Sequence, residues 1–346
     1  MQALHDFNLT HVFGCSAGVG VAGCLLGWFA GRFALRVSNG YRQEEKIADL
    51  ASTRDVRWVV PGLGLLFAAY WFVVFGLQGH ASHEVRPDLL WAYGRAISHL
   101  SLITLIVTAT ATDFLDYIIP DSITLTGMLL GVGIATASGD VQLMHLWVDW
   151  NHPQVAIYGQ WIPEWIKHHH HWHGLAWSMA GLVGGGGLTW ASRVVSSVLL
   201  KQESLGFGDV TLMAMIGSFV GWQPVLFVFL MAPVCGLLIG MLLRTLTNKS
   251  YVPYGPYLSL ATVIVLLSWK WLWQFEVAGV LSIRKLFGDP IGLAILSGIG
   301  IVAFVLLLVA VRLYRLIPGK EDATSTEPEP NTESSQSSEN SASAVG

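Results

Sequence analysis

The chain has 346 residues, of which 53% are hydrophobic and 12% charged, and its mean hydropathy is +0.54. This composition excludes an ordinary soluble domain and predicts a polytopic membrane protein. A formal net charge of -4 provides no basic surface, so we expect no nucleic-acid partner. The three cysteines include no Cys-x-x-Cys pair, which disfavours both structural zinc and a disulfide framework.

Nine apolar segments have lengths suited to membrane-spanning helices, since a span needs about 20 mostly apolar residues. The first segment follows an amino terminus without a basic region, so we expect a retained span and not a cleaved signal peptide. The expected fold is therefore an all-α transmembrane bundle of about nine spans. Their approximate limits are 12–35, 57–78, 90–112, 118–137, 174–199, 210–222, 224–243, 254–275 and 289–311.

The spans group into an N-terminal two-span region, 1–89, a central membrane region, 90–275, and a C-terminal span, 276–316. Residues 317–346 are rich in Ser, Thr, Glu, Asn and Pro, which predicts a disordered cytoplasmic tail. The outer loop 138–173 is rich in Trp and His, and we expect part of it to lie on the membrane surface.

The distribution of Lys and Arg predicts the orientation of the bundle, because cytoplasmic loops retain positive charge. With the amino terminus outside, 13 of the 19 Lys and Arg residues lie on the inner side. Omitting the short sixth span would place the basic residues Arg244 and Lys249 outside, which supports nine spans. This orientation puts Asp113, after the third span, and Asp209, before the sixth, on the same cytoplasmic face.

Asp113 and Asp209 are the main candidates for function, because acids at membrane depth are costly and commonly functional. Two neighbouring carboxylates cannot both ionise readily near neutral pH, so one can accept a proton from water while the other polarises a carbonyl. Gly206 and Gly208 would let another segment approach Asp209 closely. The alternatives are a helix cap for Asp209 and a solvated turn for Asp113, with Pro120 starting the next helix.

Three segments together resemble the type IV prepilin peptidases, membrane aspartic proteases of the Gly-x-Gly-Asp type. The first runs from Asp113 to Pro120-Asp121-Ser122-Ile123-Thr124, and the second is Leu205-Gly206-Phe207-Gly208-Asp209-Val210-Thr211-Leu212. The third is Val252-Pro253-Tyr254-Gly255-Pro256-Tyr257-Leu258. The resemblance implies that 90–275 is a catalytic domain, with Asp113 and Asp209 as catalytic residues and Gly206, Gly208 and Pro120 in support.

By this resemblance the protein is an inner-membrane endopeptidase that removes a basic leader from prepilin or pseudopilin precursors, with its active site at the cytoplasmic face. No cofactor is expected. Asp116 and Glu203 lie beside the two aspartates and could bind the basic leader, although a solvated acid is the alternative for each. Bifunctional family members carry cysteines in a cytoplasmic N-terminal segment, and the loop 37–56 has none. We therefore assign proteolysis alone and not N-methylation.

Two other functions and one other site are open at this stage. Presenilin and signal peptide peptidase also use Gly-x-Gly-Asp, but Thr112 stands here where they have Tyr. A proton-coupled transporter also uses paired acids, which it would place near the bilayer midplane. The histidine tract 168–173 could bind metal, but it lies on the predicted outer side, and an interfacial polar loop is the preferred interpretation.

Overall fold

The computed structural model describes residues 9–47, 49–82, 84–85, 88–150, 152–201, 205–247, 253–277 and 281–315. These residues are mostly helical. The predicted tail, 317–346, lies outside them. The helices are α1 (Leu9–Glu44), α2 (Val59–Trp71, continued by a π-helical turn Phe72–Gly76), α3 (Leu89–Asp116), α4 (Asp121–Ser138), α5 (Val155–Tyr158), α6 (Glu164–His168), α7 (His170–Leu200), α8 (Phe207–Val220), α9 (Trp222–Thr247), α10 (Gly255–Trp273), α11 (Ile283–Gly288) and α12 (Pro290–Arg315).

Each of the nine predicted spans coincides with one of these helices, which confirms the prediction of a multi-pass helical membrane protein. Among the residues that the structure describes, six helices are long and apolar enough to cross a bilayer: α1, α2 with its π-helical turn, α3, α4, α9 and α10. Helix α8, the predicted short sixth span, has only 14 residues. Two short strands, β1 (Glu276–Val277) and β2 (Leu281–Ser282), pair antiparallel before α11.

Helix α8 lies at the centre of the bundle. Its side chains Leu212, Met213, Met215 and Ile216 are all fully buried, as expected for a helix that is apolar on every side. Helix α7 packs against α8 at Gly181, where an added methyl group would collide with the Gly217 carbonyl. Small residues allow such close backbone approach, and van der Waals packing of this kind holds helices together in lipid.

One end of the bundle brings together the end of α3 and the starts of α8 and α10, and we call it the aspartate end. The connections at the opposite end are tied into the bundle by side chains. Nε1 of Trp222 donates to the carbonyl of Leu146 at 2.9 Å, and Nε2 of His80 lies 2.8 Å from the carbonyl of Leu266. The aspartate end contains both motif acids.

Candidate active site

Asp113 lies in the last turn of α3, and only 4% of its surface is exposed. The helix ends at Asp116, because Tyr117 takes a left-handed conformation with φ of 57°. The Tyr117 N–H donates to the Asp113 carbonyl at 3.0 Å, which closes the final turn. The backbone thereby holds Asp113 one turn before a sharp change in chain direction.

Pro120 sits at the end of that change in direction. It occupies the N-cap position of α4 in an extended conformation, and its carbonyl accepts hydrogen bonds from the N–H groups of Ile123 at 3.0 Å and Thr124 at 3.3 Å. The predicted helix start at Pro120 is therefore accurate to one residue. The segment between the two helices presents Ile119 towards the other motif segments.

Asp209 lies in the first turn of α8 and is 7% exposed. Its Oδ2 accepts a hydrogen bond of 3.2 Å from the N–H of Gly206, the N-cap residue. Asp209 therefore does cap the helix, as the alternative interpretation held. Capping one donor does not prevent a carboxylate from acting on a second partner.

Gly208 and Gly255 allow the three motif segments to meet around Ile119. A methyl group added at Gly208 would lie 3.0 Å from the Cβ of Ile119, and one added at Gly255 would lie 3.0 Å from its Cδ1. The same methyl group at Gly255 would also collide with Oδ2 of Asp113. Close approach to Asp113 thus requires glycine at position 255, whereas a methyl group at position 208 would make a tight contact that Ile119 must yield to; the supporting role of Gly208 stays a prediction.

The carboxylates of Asp113 and Asp209 are near enough for their charges to repel one another. Tyr254 lies within electrostatic range of Asp209. Oδ2 of Asp113 is shielded from solvent and forms no hydrogen bond of standard geometry within the described residues, although the Gly255 backbone lies beside it. Two acids separated by 96 positions in the sequence are therefore both largely buried at the same end of the bundle, where their charges interact.

The two predicted leader-binding acids have different outcomes. Asp116 is engaged within the protein, because its Oδ1 accepts a hydrogen bond of 2.6 Å from Nε of Arg42 and its Oδ2 accepts one from Ser38. Glu203 lies outside the described residues. The role of both in binding a leader stays a prediction.

The histidine tract lies at the opposite end of the bundle, where α6 ends and α7 begins. His168 is 3.5 Å from Glu164, and His170 is 3.4 Å from Asp140. No group of three His, Cys, Asp or Glu in the described residues has a geometry that could hold a metal ion. The tract is distant in the fold from the motif acids.

Sequence reasoning missed three contributors to this region: Arg42, Ser38 and Ile119. Tyr254 and Gly255 belong to the third motif, so the sequence did indicate that their segment takes part in the site. Arg42 and Asp116 are 74 positions apart, and no local pattern links an arginine in one helix with an acid in another. Nothing in the sequence around Ile119 singles it out; its role is visible only in the fold, where it packs against Gly208 and Gly255.

Comparison with known proteins places this site within a matched region. The profile described as the type IV leader peptidase family matches residues 100–241. The prepilin leader peptidase/N-methyltransferase of Pseudomonas putida is 27% identical over 183 residues, which are 51% of this chain and 52% of that protein. The enzyme of the same name in Aeromonas salmonicida (strain A449) is 34% identical over 93 residues, 26% of this chain and 31% of that protein.

A third relative is the type 4 prepilin-like proteins leader peptide-processing enzyme of Escherichia coli O78:H11. It is 32% identical over 116 residues, which cover 30% of this chain and 42% of that protein. The matches thus span between about a third and about half of the relatives' own lengths. No solved structure matches this chain. The matched region contains Asp113 and Asp209 in their motif order, and over this region the chain is similar to the type IV leader peptidase family.

Proposed function

We propose that this protein is an aspartic endopeptidase that removes the basic leader from prepilin or pseudopilin precursors. The observation that carries the proposal is that Asp113 and Asp209, from two separate motifs, are both buried at one end of the bundle within electrostatic range, with the Gly255 backbone against Asp113. The names of the relatives support the substrate class, since they process prepilins or prepilin-like proteins.

The chemistry follows from the shared location. One carboxylate is ionised and takes a proton from water, and the water oxygen attacks the carbonyl carbon of the scissile peptide. The other carboxyl is protonated and donates to the carbonyl oxygen as negative charge develops there. The tetrahedral intermediate then collapses, and a proton passes to the leaving amine. The pair holds one proton between them, so the dyad titrates as a unit.

The site also suits a substrate that is itself embedded in the membrane. The proposed orientation puts the aspartate end at the cytoplasmic face of a bacterial inner membrane, because most Lys and Arg residues lie on that side. A precursor whose hydrophobic helix packs among the spans would present its leader at that face. Leader removal would then leave the helix in the bilayer.

We propose peptidase activity without N-methylation. The relatives include proteins named for both activities, but the loop 37–56 of this chain contains no cysteine, unlike the segment of bifunctional family members. Mass measurement of a precursor processed by the purified protein with S-adenosylmethionine tests this. An added methyl group on the new amino terminus would overturn it.

The peptidase proposal is tested by co-expressing the chain with a prepilin-like precursor and following leader removal. Asp113→Asn and Asp209→Asn are made separately, because each should abolish cleavage if the two acids act together. Asp88→Asn is the matched control, as Asp88 is an exposed acid just before α3 whose side chain makes no capping hydrogen bond. Leader removal that persists in either active-site variant would refute the dyad.

A further inference from the structure

Asp116 is a buried acid at an electrostatically unfavourable position. It is the last residue of α3, three positions after Asp113, and its side chain is only 7% exposed. The C-terminal end of a helix carries partial negative charge, so a carboxylate there is destabilising unless a cation offsets it. An unpaired carboxylate would also be costly because it is shielded from water.

Arg42, near the end of α1, supplies that cation and also binds a backbone carbonyl of α3. Its Nε donates to Oδ1 of Asp116 at 2.6 Å, and its Nη2 donates to the carbonyl of Leu115 at 3.0 Å. Ser38, one helical turn earlier and 2% exposed, donates to Oδ2 of Asp116. Both carboxylate oxygens and one carbonyl of the last turn of α3 are therefore satisfied by α1.

The same part of α1 also holds the loop that follows it. Nη1 of Arg42 donates to the carbonyl of Asp49 at 2.9 Å. Asn39 forms two hydrogen bonds with the backbone of Ala51, accepting from its N–H at 2.8 Å and donating to its carbonyl at 3.2 Å. Ser38, Asn39 and Arg42 thus form what we call the α1 brace, which joins the loop to the end of α3.

We propose that Ser38 and Arg42 are positioning residues, which hold the last turn of α3 so that Asp113 stays against Asp209. The inference rests on the proposed peptidase function. It gives Asp116 a partner inside the protein in place of the basic leader. It also gives the short loop after α1 a mechanical role in this chain, which needs no cysteine.

The test uses the purified full chain in lipid nanodiscs with a prepilin-like precursor. Arg42→Gln should lower kcat by about tenfold to a hundredfold with little change in KM, since small misplacements of a catalytic group have effects of that size. Arg36→Gln is the matched control: Arg36 is an exposed arginine of the same helix. Ser38→Ala should lower kcat less, because it removes one hydrogen bond and leaves the ion pair.

A double variant distinguishes positioning from a general loss of structure. Arg42→Gln leaves Asp116 buried and unpaired, so adding Asp116→Asn should recover part of the lost kcat. If Asp116 instead binds the leader, Asp116→Asn alone should raise KM for a basic leader and not for a leader whose lysines are replaced by glutamine. That pattern, or a wild-type kcat in Arg42→Gln, would overturn the proposal.

Hydrogen exchange separates failure of this proposal from failure of the peptidase assignment. Amides of 113–117 should exchange faster in Arg42→Gln than in wild type or Arg36→Gln, whether or not the protein cleaves the precursor. If the wild-type chain cleaves nothing, the peptidase assignment fails. Hydrogen exchange alone then tests whether the α1 brace holds the last turn of α3. Unchanged exchange in Arg42→Gln would then exclude it.

Discussion

The backbone of Gly255, the first residue of α10, lies directly against the carboxylate of Asp113, near the end of α3. A single methyl group added at Gly255 would collide with Oδ2 of Asp113 and lie 3.0 Å from Ile119. The third motif thus lines the candidate active site, although it contains neither of the two aspartates. Its glycine sets how closely α10 approaches the acid.

We expect Gly255→Ala to abolish or strongly reduce leader removal while the protein still inserts into the membrane. The methyl group must displace either the Asp113 carboxylate or α10, and a displacement of about 1 Å can cost on the order of a hundredfold in rate. Gly133→Ala in α4 is the matched control, because nothing lies within 4 Å of a methyl group there. Cleavage rate per folded molecule is the measurement. Equal rates in the two variants would show that Gly255 does not constrain the site.

Asp209 should have two separable roles, one in the helix cap and one in cleavage. Asp209→Asn keeps an oxygen that can accept the Gly206 N–H, so its thermal stability should stay close to that of wild type. Asp209→Ala removes the acceptor and should lower the free energy of unfolding by about 1 kcal/mol. Both variants should lose cleavage. Thermal unfolding in detergent and the cleavage assay, both run on these variants, check this. If Asp209→Asn still cleaved the precursor, Asp209 would have only the capping role.

Predictability from sequence depended on whether the determining interaction was local. The lengths of apolar runs located nine of the twelve described helices, because the length needed to span a bilayer can be read from a single segment. Charge bias and motif order predicted that Asp113 and Asp209 lie at the same end of the bundle, where the structure has both of them buried. The contact between Arg42 and Asp116 was not, since residues 74 positions apart meet only after α1 and α3 pack. The same holds for Ile119, whose position depends on three segments together.

The contact between α7 and α8 should be sensitive to one methyl group. Gly181→Ala would drive a side-chain carbon into the Gly217 carbonyl, and overpacking of this kind costs about 1–3 kcal/mol. Gly187→Ala on the same helix meets nothing within 4 Å and should leave stability unchanged or slightly higher. Thermal unfolding of the two variants in one detergent is the measurement. A smaller loss for Gly181→Ala than for Gly187→Ala would contradict the close packing.

His80 should make the folded protein less stable in acid. It lies in the connection between α2 and α3, where burial, with a further contribution from Arg95, lowers its pKa from 6.5 to about 3. Between these two values the unfolded chain binds a proton that the folded chain does not, so this residue's contribution to stability is lost as pH falls below about 6.5. The loss amounts to about 2 kcal/mol at pH 5. Above that range the histidine is neutral in both states and the effect disappears.

The measurement is the free energy of unfolding at pH 5 and pH 7.5 for wild type and His80→Gln. Glutamine can still donate an N–H to the Leu266 carbonyl, which the His80 ring contacts at 2.8 Å, but it does not titrate. The fall in stability between pH 7.5 and pH 5 should therefore be about 2 kcal/mol smaller in the variant. His169→Gln, which replaces an exposed histidine, is the matched substitution. Parallel curves for wild type and His80→Gln would mean that His80 takes up a proton equally in both states, because only a difference in binding between folded and unfolded chains can change the slope.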